Sequence, residues 1–85
     1  MTKQEYLMIV AMEECAEVAQ ALSKCIRFGV SVKTLMEVKL EFNDLFAMID
    51  WLEDTLPDDS DLSIDINLID IKQRKVAKYM PEDLK

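Results

Sequence analysis

The scarcity of helix-breaking residues is the feature that most constrains this fold. The 85-residue chain contains one glycine, Gly29, and two prolines, Pro57 and Pro81. Because glycine and proline are the strongest interruptions of regular structure, the segments between them are free to form long helices. Long loops and many tight turns are excluded for the same reason. We therefore expect an all-α fold in which residues 1–85 form one domain.

Capping signals predict where the first two helices begin and end. Thr2 and Glu5 have the form of a capping box, and nothing breaks a helix from there to Phe28, where the glycine can end it. Ser31 is placed to cap a second helix over about Val32–Thr55. A connection this short favours an antiparallel helix pair.

A third segment, over about Ser63–Tyr79, carries two patterns. Residues 64–68 alternate apolar and polar side chains like a strand, whereas residues 71–78 have the pattern of a helix. We predict a helix throughout, because a single strand would have no partner. Residues 56–61 form the one clear loop before it.

The composition favours a folded chain that cannot bury all of its apolar surface. Hydrophobic residues make up 51% of the sequence, which is more than a disordered segment carries. A chain of this length has a marginal core, because surface dominates volume. Oligomerisation, a metal or disulfides usually supply the missing stability in such chains.

The charge balance excludes several classes of partner. The net charge is −7 and no basic stripe is present, so we expect no nucleic acid polymer and no anionic membrane as a partner. An acidic protein that handles anionic nucleotides needs a cation between the two. Neither a signal peptide nor a membrane span is visible, and we expect a cytoplasmic protein.

The absence of histidine excludes another set of sites. Ser-His-Asp and Cys-His nucleophiles, and metal sites that contain histidine, are ruled out; di-iron sites with Glu-x-x-His pairs are disfavoured. Cys15 and Cys25 share the first predicted helix and lie ~15 Å apart along its axis, too far for a disulfide. We interpret both as reduced, buried residues, with a reactive thiol as the alternative.

Glu14 lies in the middle of the apolar stripe of the first predicted helix. At ~100° per residue, one face of this helix carries Leu7, Val10, Val18, Ala21 and Cys25. Glu17 lies at the edge of the same stripe. Since an unpaired buried charge is costly, we expect these carboxylates to have a partner.

Glu41 and Asp44 show the same anomaly on the second predicted helix. They belong to a line of Glu37, Glu41, Asp44 and Met48. Apolar residues flank this line on both sides: Val38, Phe42, Leu45, Phe46, Ile49 and Leu52 on one, and Leu40, Ala47 and Trp51 on the other. We expect this helix to be buried on more than one face.

The two acidic pairs suggest a metal site. Glu14 with Glu17, and Glu41 with Asp44, have i,i+3 spacing, which puts each pair on one helix face. Four inward carboxylates would repel each other and raise their own pKa values, and a hard divalent cation removes that penalty. Oxygen ligands suit Mg²⁺ or Mn²⁺ and leave positions for water and phosphate oxygens. The alternative is that these acids are solvated surface charges.

The acidic residues also form a recognisable motif. Glu13-Glu14-Cys15-Ala16-Glu17, then 23 residues, then Glu41-Phe42-Asn43-Asp44 resembles the EExxE…ExxD signature of the MazG-like nucleotide pyrophosphohydrolases. Their superfamily also contains the dimeric all-α dUTPases, the dCTP pyrophosphatases and the phosphoribosyl-ATP pyrophosphohydrolases. The resemblance covers most of the chain, and the paired motif is more specific than either half.

This resemblance implies a fold and an activity. The fold is a helical bundle completed by oligomerisation, as a homodimer or a homotetramer. The activity is Mg²⁺-dependent cleavage of nucleoside triphosphates to nucleoside monophosphates and pyrophosphate, in nucleotide-pool housekeeping. Glu14, Glu17, Glu41 and Asp44 match the metal ligands, and Glu13 matches an extra acid that binds a second metal or orients the water.

A looser similarity concerns the end of the third segment. Lys75-Val76-Ala77-Lys78-Tyr79-Met80-Pro81 is similar to a basic-aromatic stretch that follows the third helix in some members of the family. It implies that Lys75, Lys78 and Tyr79 bind substrate, the lysines through phosphate. The alternative is a solvated basic helix end.

Three functions stay open from the sequence. The first is the nucleoside triphosphate pyrophosphohydrolase. The second is phosphoribosyl-ATP hydrolysis, which uses a similar motif. The third is a non-catalytic helical protein that binds a partner and carries its acids as surface charges. The aromatic residues have two interpretations as well, base stacking or core packing: Phe28, Phe42, Phe46 and Trp51.

Overall fold

The chain forms three α-helices followed by a short 3₁₀ turn. The computed structural model describes all 85 residues. Helix α1 spans Lys3–Phe28, α2 spans Val32–Glu53, α3 spans Ile66–Tyr79, and the 3₁₀ turn spans Glu82–Leu84. The predicted all-α fold is confirmed, since no strand is present. No helix combines the length and the apolar content that crossing a bilayer requires.

Side-chain caps fix the start of α1 and α2 as predicted. At α1, the Glu5 amide donates to Thr2 Oγ1 over 3.0 Å, and the Thr2 amide donates to the Glu5 carboxylate over 3.2 Å. At α2, the Thr34 amide donates to Ser31 Oγ over 3.2 Å, and the Ser31 amide donates to Thr34 Oγ1 over 2.9 Å. Two orphan amides are satisfied at each helix start.

Gly29 ends α1 and turns the chain toward α2. Its amide donates to the Cys25 carbonyl over 3.0 Å. Its φ of 93° and ψ of 159° are accessible essentially to glycine alone. The turn between the two helices is therefore as short as predicted, and Gln4 at the start of α1 reaches the Thr55 carbonyl beyond the end of α2 over 3.5 Å. The helices are antiparallel.

Helix α3 begins later than its periodicity predicted. The Asp65 carboxylate accepts hydrogen bonds from the Asn67 amide over 2.8 Å and the Leu68 amide over 3.2 Å, so Asp65 is the N-cap. Before it, the Ser63 amide donates to Asp61 over 2.8 Å, which favours a turn over a helix. The prediction that the helix includes Ser63 is wrong for this reason.

The core of the hairpin is small. Leu7, Ala11 and Ala21 of α1 and Leu52 of α2 are its four buried residues. The other members of the predicted α1 stripe are half-buried against α2: Val10, Glu14, Val18 and Cys25. The predicted stripe is therefore the contact face of α1, and Glu14 lies within it. Both cysteines are free, as expected, but Cys15 is exposed and not buried.

A single copy does not form a closed bundle. No Cα of α3 lies within 8 Å of a Cα in α1 or α2. The radius of gyration is 15.9 Å, against ~12 Å for a compact domain of this length. The accessible surface is 7143 Å², about 2,000 Å² above the ~5,200 Å² expected for this mass. The chain thus exposes more surface than a compact monomer of its mass.

The prediction that α2 is buried on more than one face does not hold within one chain. Its contact side packs against α1 through Leu52 and the half-buried Val38, Leu45 and Ile49. Four members of the two predicted apolar arcs are exposed by 39% to 57%: Leu40, Phe42, Phe46 and Trp51. A lone hairpin has only one neighbour for each helix, so each helix keeps its other apolar side in solvent.

Candidate metal centre

Three of the predicted acids converge across the hairpin. Glu14 projects from the contact stripe of α1, and Glu41 and Asp44 project from one face of α2. One carboxylate oxygen of each lies within 4.8 Å of the other two. Glu14 and Glu41 are half-buried and Asp44 is exposed, so the cluster is open to solvent on the Asp44 side.

No basic side chain neutralises this cluster. The one ion pair across the hairpin joins Lys24 Nζ to the Glu37 carboxylate over 3.7 Å, one turn before Glu41 on α2. The other two ion pairs lie within α3 and in the C-terminal turn. Three carboxylates therefore meet without a protein cation to balance them.

The electrostatic consequence is visible at Glu14. Its pKa is raised above the ordinary value of 4.5, first by desolvation and then by the negative charges of Asp44 and Glu41. Glu17 and Glu13 add smaller contributions in the same direction. The charged form of Glu14 is thus disfavoured by its surroundings, and a bound cation would reverse that preference.

The residues fit a hard divalent cation. Carboxylate oxygens are the ligands that Mg²⁺ and Mn²⁺ prefer. Two oxygens on one Mg²⁺ lie ~3 Å apart when adjacent and ~4 Å apart when opposite, so the cluster, with its oxygens within 4.8 Å, needs only a small inward rotation of side chains. Three carboxylate ligands would leave other coordination positions of such a cation open to water.

Glu17 and Glu13 lie beside the cluster and not in it. Both are exposed on α1, and neither joins the group of oxygens within 4.8 Å. Glu17 lies three residues beyond Glu14. At ~100° per residue, this spacing places Glu17 ~60° away from Glu14 around the axis of α1, at the edge of the stripe. Their effect on the pKa of Glu14 shows that they add negative charge nearby. Their roles as ligand and as water-orienting acid stay predictions.

The predicted substrate contacts lie elsewhere in the chain. Lys75 and Tyr79 line a groove of about 430 Å³ on α3 and the turn after it, together with Lys72, Val76, Met80 and Pro81. Lys78 lies outside the groove, with its Nζ 5.6 Å from the ring centre of Tyr79. Because α3 does not contact α1 or α2, one chain does not bring these residues to the carboxylates.

Lys72 is the residue of this groove that sequence reasoning missed. It lies one turn before Lys75, at the i,i+3 spacing that puts two side chains on one helix face. That spacing, which Glu14 and Glu17 also have, is the sequence signal for Lys72.

The four aromatic residues Phe28, Phe42, Phe46 and Trp51 are not buried in a core. The rings of Phe42 and Phe46 lie 5.8 Å apart and tilted, and both are partly exposed. Lys3 Nζ lies 5.5 Å from the ring centre of Trp51, and the guanidinium of Arg27 lies 5.2 Å from that of Phe28. Cation–π contacts of this exposed kind are worth about 0.5–1 kcal/mol.

The chain matches no protein-family model, no curated protein and no solved structure. The likeness to the MazG-like enzymes therefore rests on the two acidic motifs, and the geometry of the hairpin is the independent observation beside it.

Proposed function

We propose that this chain is a Mg²⁺-dependent nucleoside triphosphate pyrophosphohydrolase of the MazG-like type, which releases pyrophosphate and a nucleoside monophosphate. One observation carries the proposal: Glu14, Glu41 and Asp44 bring oxygens within 4.8 Å of one another, with no basic side chain to neutralise them. The EExxE…ExxD resemblance supplies the reaction class.

Glu14, Glu41 and Asp44 are the proposed ligands of the cation, with Glu17 as a fourth. Mg²⁺ held by these residues would neutralise charge on the phosphates and lower the pKa of a water molecule. Asp44 is the exposed member of the three, so the solvent-facing side of the cluster is where the triphosphate would enter. Because Glu14 and Glu41 are half-buried, less water reaches the cluster from the side opposite Asp44.

The other groups proposed to act in the reaction are a water molecule and the carboxylate of Glu13. The chain has no histidine, and water is the proposed nucleophile. Its oxygen attacks a phosphorus of the α–β phosphoanhydride in line, the bond from that phosphorus to the bridging oxygen breaks, and pyrophosphate and the nucleoside monophosphate separate without a covalent enzyme intermediate. Glu13 is exposed on the same helix as Glu14, and its carboxylate can accept a hydrogen bond from the attacking water and so orient it. Lys75, Lys78 and Tyr79 are the proposed substrate contacts.

Pyrophosphate release from a panel of canonical and modified NTPs and dNTPs tests this function, in Mg²⁺ and in chelator. The expected result is metal-dependent release of pyrophosphate and the matching monophosphate from some members. Phosphoribosyl-ATP belongs in the panel, because hydrolysis of that compound alone would establish the second of the enzymatic alternatives. Failure to cleave any compound, by folded protein, contradicts both enzymatic functions.

A non-catalytic partner-binding role is the second candidate. The observation that favours it is the exposed apolar surface, which includes Ile26 at 86%, Phe28 at 74% and Met12 at 70% exposure. Exposed apolar surface of this extent is typical of protein interaction sites. A chain with this role alone would release no pyrophosphate and would gain no stability from Mg²⁺.

A further inference from the structure

Basic side chains collect at the end of the hairpin where α1 turns into α2. Residues 24–34 contain Lys24, Arg27 and Lys33 and no acid, which gives a net charge of +3 within a chain of −7. Glu41 of the carboxylate cluster lies eight residues beyond Lys33 on α2, a rise of ~12 Å along the helix. Because physiological salt screens charges over ~8 Å, this end of the hairpin attracts anions although the whole chain is acidic.

A groove of about 420 Å³ lies at this end of the hairpin, and we call it the turn groove. Its lining residues come from α1 and from the start of α2: Lys24, Phe28, Ser31, Lys33, Thr34 and Glu37. Its volume is within the range of small-molecule sites. Phe28 is its one apolar residue and is 74% exposed. The turn groove is therefore a polar cleft with two lysines, and it is large enough for a small ligand.

The start of α2 adds two free backbone donors. The amides of Val32 and Lys33 have no acceptor within the chain, because the side-chain caps at this helix serve only the amides of Ser31 and Thr34. Free amides at a helix start point outward along the axis and, with the helix dipole, favour an anion. Since the same helix start lines the turn groove, two amides and two ammonium groups are available to one anion.

Two negative features oppose an anion here, and both already have a partner. The Glu37 carboxylate lies 3.7 Å from Lys24 Nζ, and the Gly29 carbonyl near the end of α1 accepts a hydrogen bond from Thr34 Oγ1 over 3.0 Å. Lys33 has no ion pair. The side chains of Lys24 and Glu37 are 42% and 36% exposed, so their pair is weak. Both lysines are thus free to turn toward a bound anion.

This set of donors fits a phosphate group better than a carboxylate. A phosphate group offers three or four oxygens to several donors at once, whereas a carboxylate offers two, and lysine ammonium groups bind phosphate as point charges. The exposed ring of Phe28 adds an apolar wall on which a planar group can stack. The guanidinium of Arg27 lies 5.2 Å from the centre of that ring and adds positive charge beside the groove.

We propose that the turn groove binds a phosphate group, held by the side chains of Lys24 and Lys33 and by the amides of Val32 and Lys33. The phosphate is either inorganic or the phosphate of a nucleotide whose base stacks on Phe28. The site needs no metal ion, because all of its donors belong to the chain. It is separate from the carboxylate cluster and does not rest on the proposed catalysis.

Two-dimensional ¹H–¹⁵N NMR of the wild-type chain tests the site, in chelator and at physiological ionic strength. The probes are inorganic phosphate, pyrophosphate and the four nucleoside monophosphates. The expected result is a saturable shift of the Val32 and Lys33 amide signals, with residues 41–44 unchanged. Shifts that do not saturate, or equal shifts at Lys72 and Lys75, overturn the proposal, because they indicate general attraction to positive charge.

The same titrations distinguish the two sources of phosphate. A nucleotide that binds at least ~10-fold more tightly than inorganic phosphate, and also shifts the ring signals of Phe28, supports the site as one for nucleotides, because stacking adds to the phosphate contacts. Equal affinities without a shift of the ring signals support a site for the phosphate group alone.

Substitution of one lysine provides the second test. Lys33→Gln is expected to weaken binding of the best probe at least ~5-fold, because it removes a charged donor from the turn groove. Lys39→Gln is the matched control, since Lys39 is an exposed lysine on the same helix and outside the groove, and binding should change less than ~2-fold. Equal effects of the two variants would show that the anion responds to net charge and not to this site.

Discussion

Glu14 of α1 and Asp44 of α2 bring carboxylate oxygens within 4.8 Å of each other across the helical hairpin. Twenty-nine residues lie between them in the sequence, and the Gly29 turn is what places them side by side. Desolvation of the Glu14 carboxyl raises its pKa, and the negative charges of Asp44 and Glu41 at this distance raise it further. The hairpin therefore holds an electrostatic strain that a cation, a proton or a neutral substitution would relieve, and each of these leads to a measurement.

Glu14→Gln is expected to stabilise the metal-free chain at neutral pH. The substitution keeps the size of the side chain and removes one of the repelling charges, so the melting temperature should rise in chelator. In excess Mg²⁺ the order should reverse, because the variant lacks a ligand. A variant that melts lower than wild type in chelator would show that Glu14 is a structural partner and not a strained charge.

The same variant should lose its advantage in acid. A raised pKa means that folded Glu14 binds its proton more readily than unfolded Glu14, so wild-type stability increases as pH falls through the folded pKa. That gain is complete below the ordinary value of 4.5. Chemical unfolding from pH 7 to pH 4 should therefore show the two free energies of unfolding converging. A constant difference across that range would contradict the pKa shift.

Mg²⁺ is expected to stabilise the wild-type chain by mass action. At a metal concentration about 100 times the dissociation constant, binding to the native state adds ~2.7 kcal/mol, or roughly 15 °C in melting temperature for a chain of this size. Asp44→Asn should lose most of this gain. Asp50→Asn is the matched control, because Asp50 is an exposed acid on the same helix with no ion pair, and it should keep the gain.

Gly29→Ala is expected to destabilise the hairpin. The φ of 93° with ψ of 159° costs an L-residue about 1–3 kcal/mol, although no atom lies within 4 Å of the added methyl group. The loss therefore measures backbone strain alone. Val30→Ala, at the next exposed position, should change the free energy of unfolding by less than ~0.5 kcal/mol. Equal unfolding midpoints for both variants in urea would argue against a strained turn.

The sequence predicted those parts of the fold that depend on local interactions. Thr2 and Ser31 were identified as caps because their hydrogen bonds reach only three residues along the chain. The predicted start of α3 at Ser63 is too early, because Asp61 holds Ser63 in a turn and Asp65 caps the helix two residues later. A periodic pattern does not reveal these side-chain hydrogen bonds.

The sequence predicted one part of the candidate site and not another. The position of Glu14 in the α1 stripe followed from helical period, and the structure places it against α2. The exclusion of Glu17 from the group within 4.8 Å depends on how the two helices are rotated, which i,i+3 spacing does not determine. The sequence also does not predict that α3 lies apart from α1 and α2. An amphipathic pattern indicates that one face of a helix packs against something, but it does not identify the packing partner.

The most direct test of the central claim is pyrophosphate release by three proteins under one condition: wild type, Asp44→Asn and Asp50→Asn, with saturating Mg²⁺ and the best substrate of the nucleotide panel. Wild type and Asp50→Asn should release pyrophosphate at comparable rates. Asp44→Asn should fall by at least ~100-fold while remaining folded. Equal release by all three proteins, or none by wild type, would contradict the account of Glu14, Glu41 and Asp44 as a catalytic metal centre.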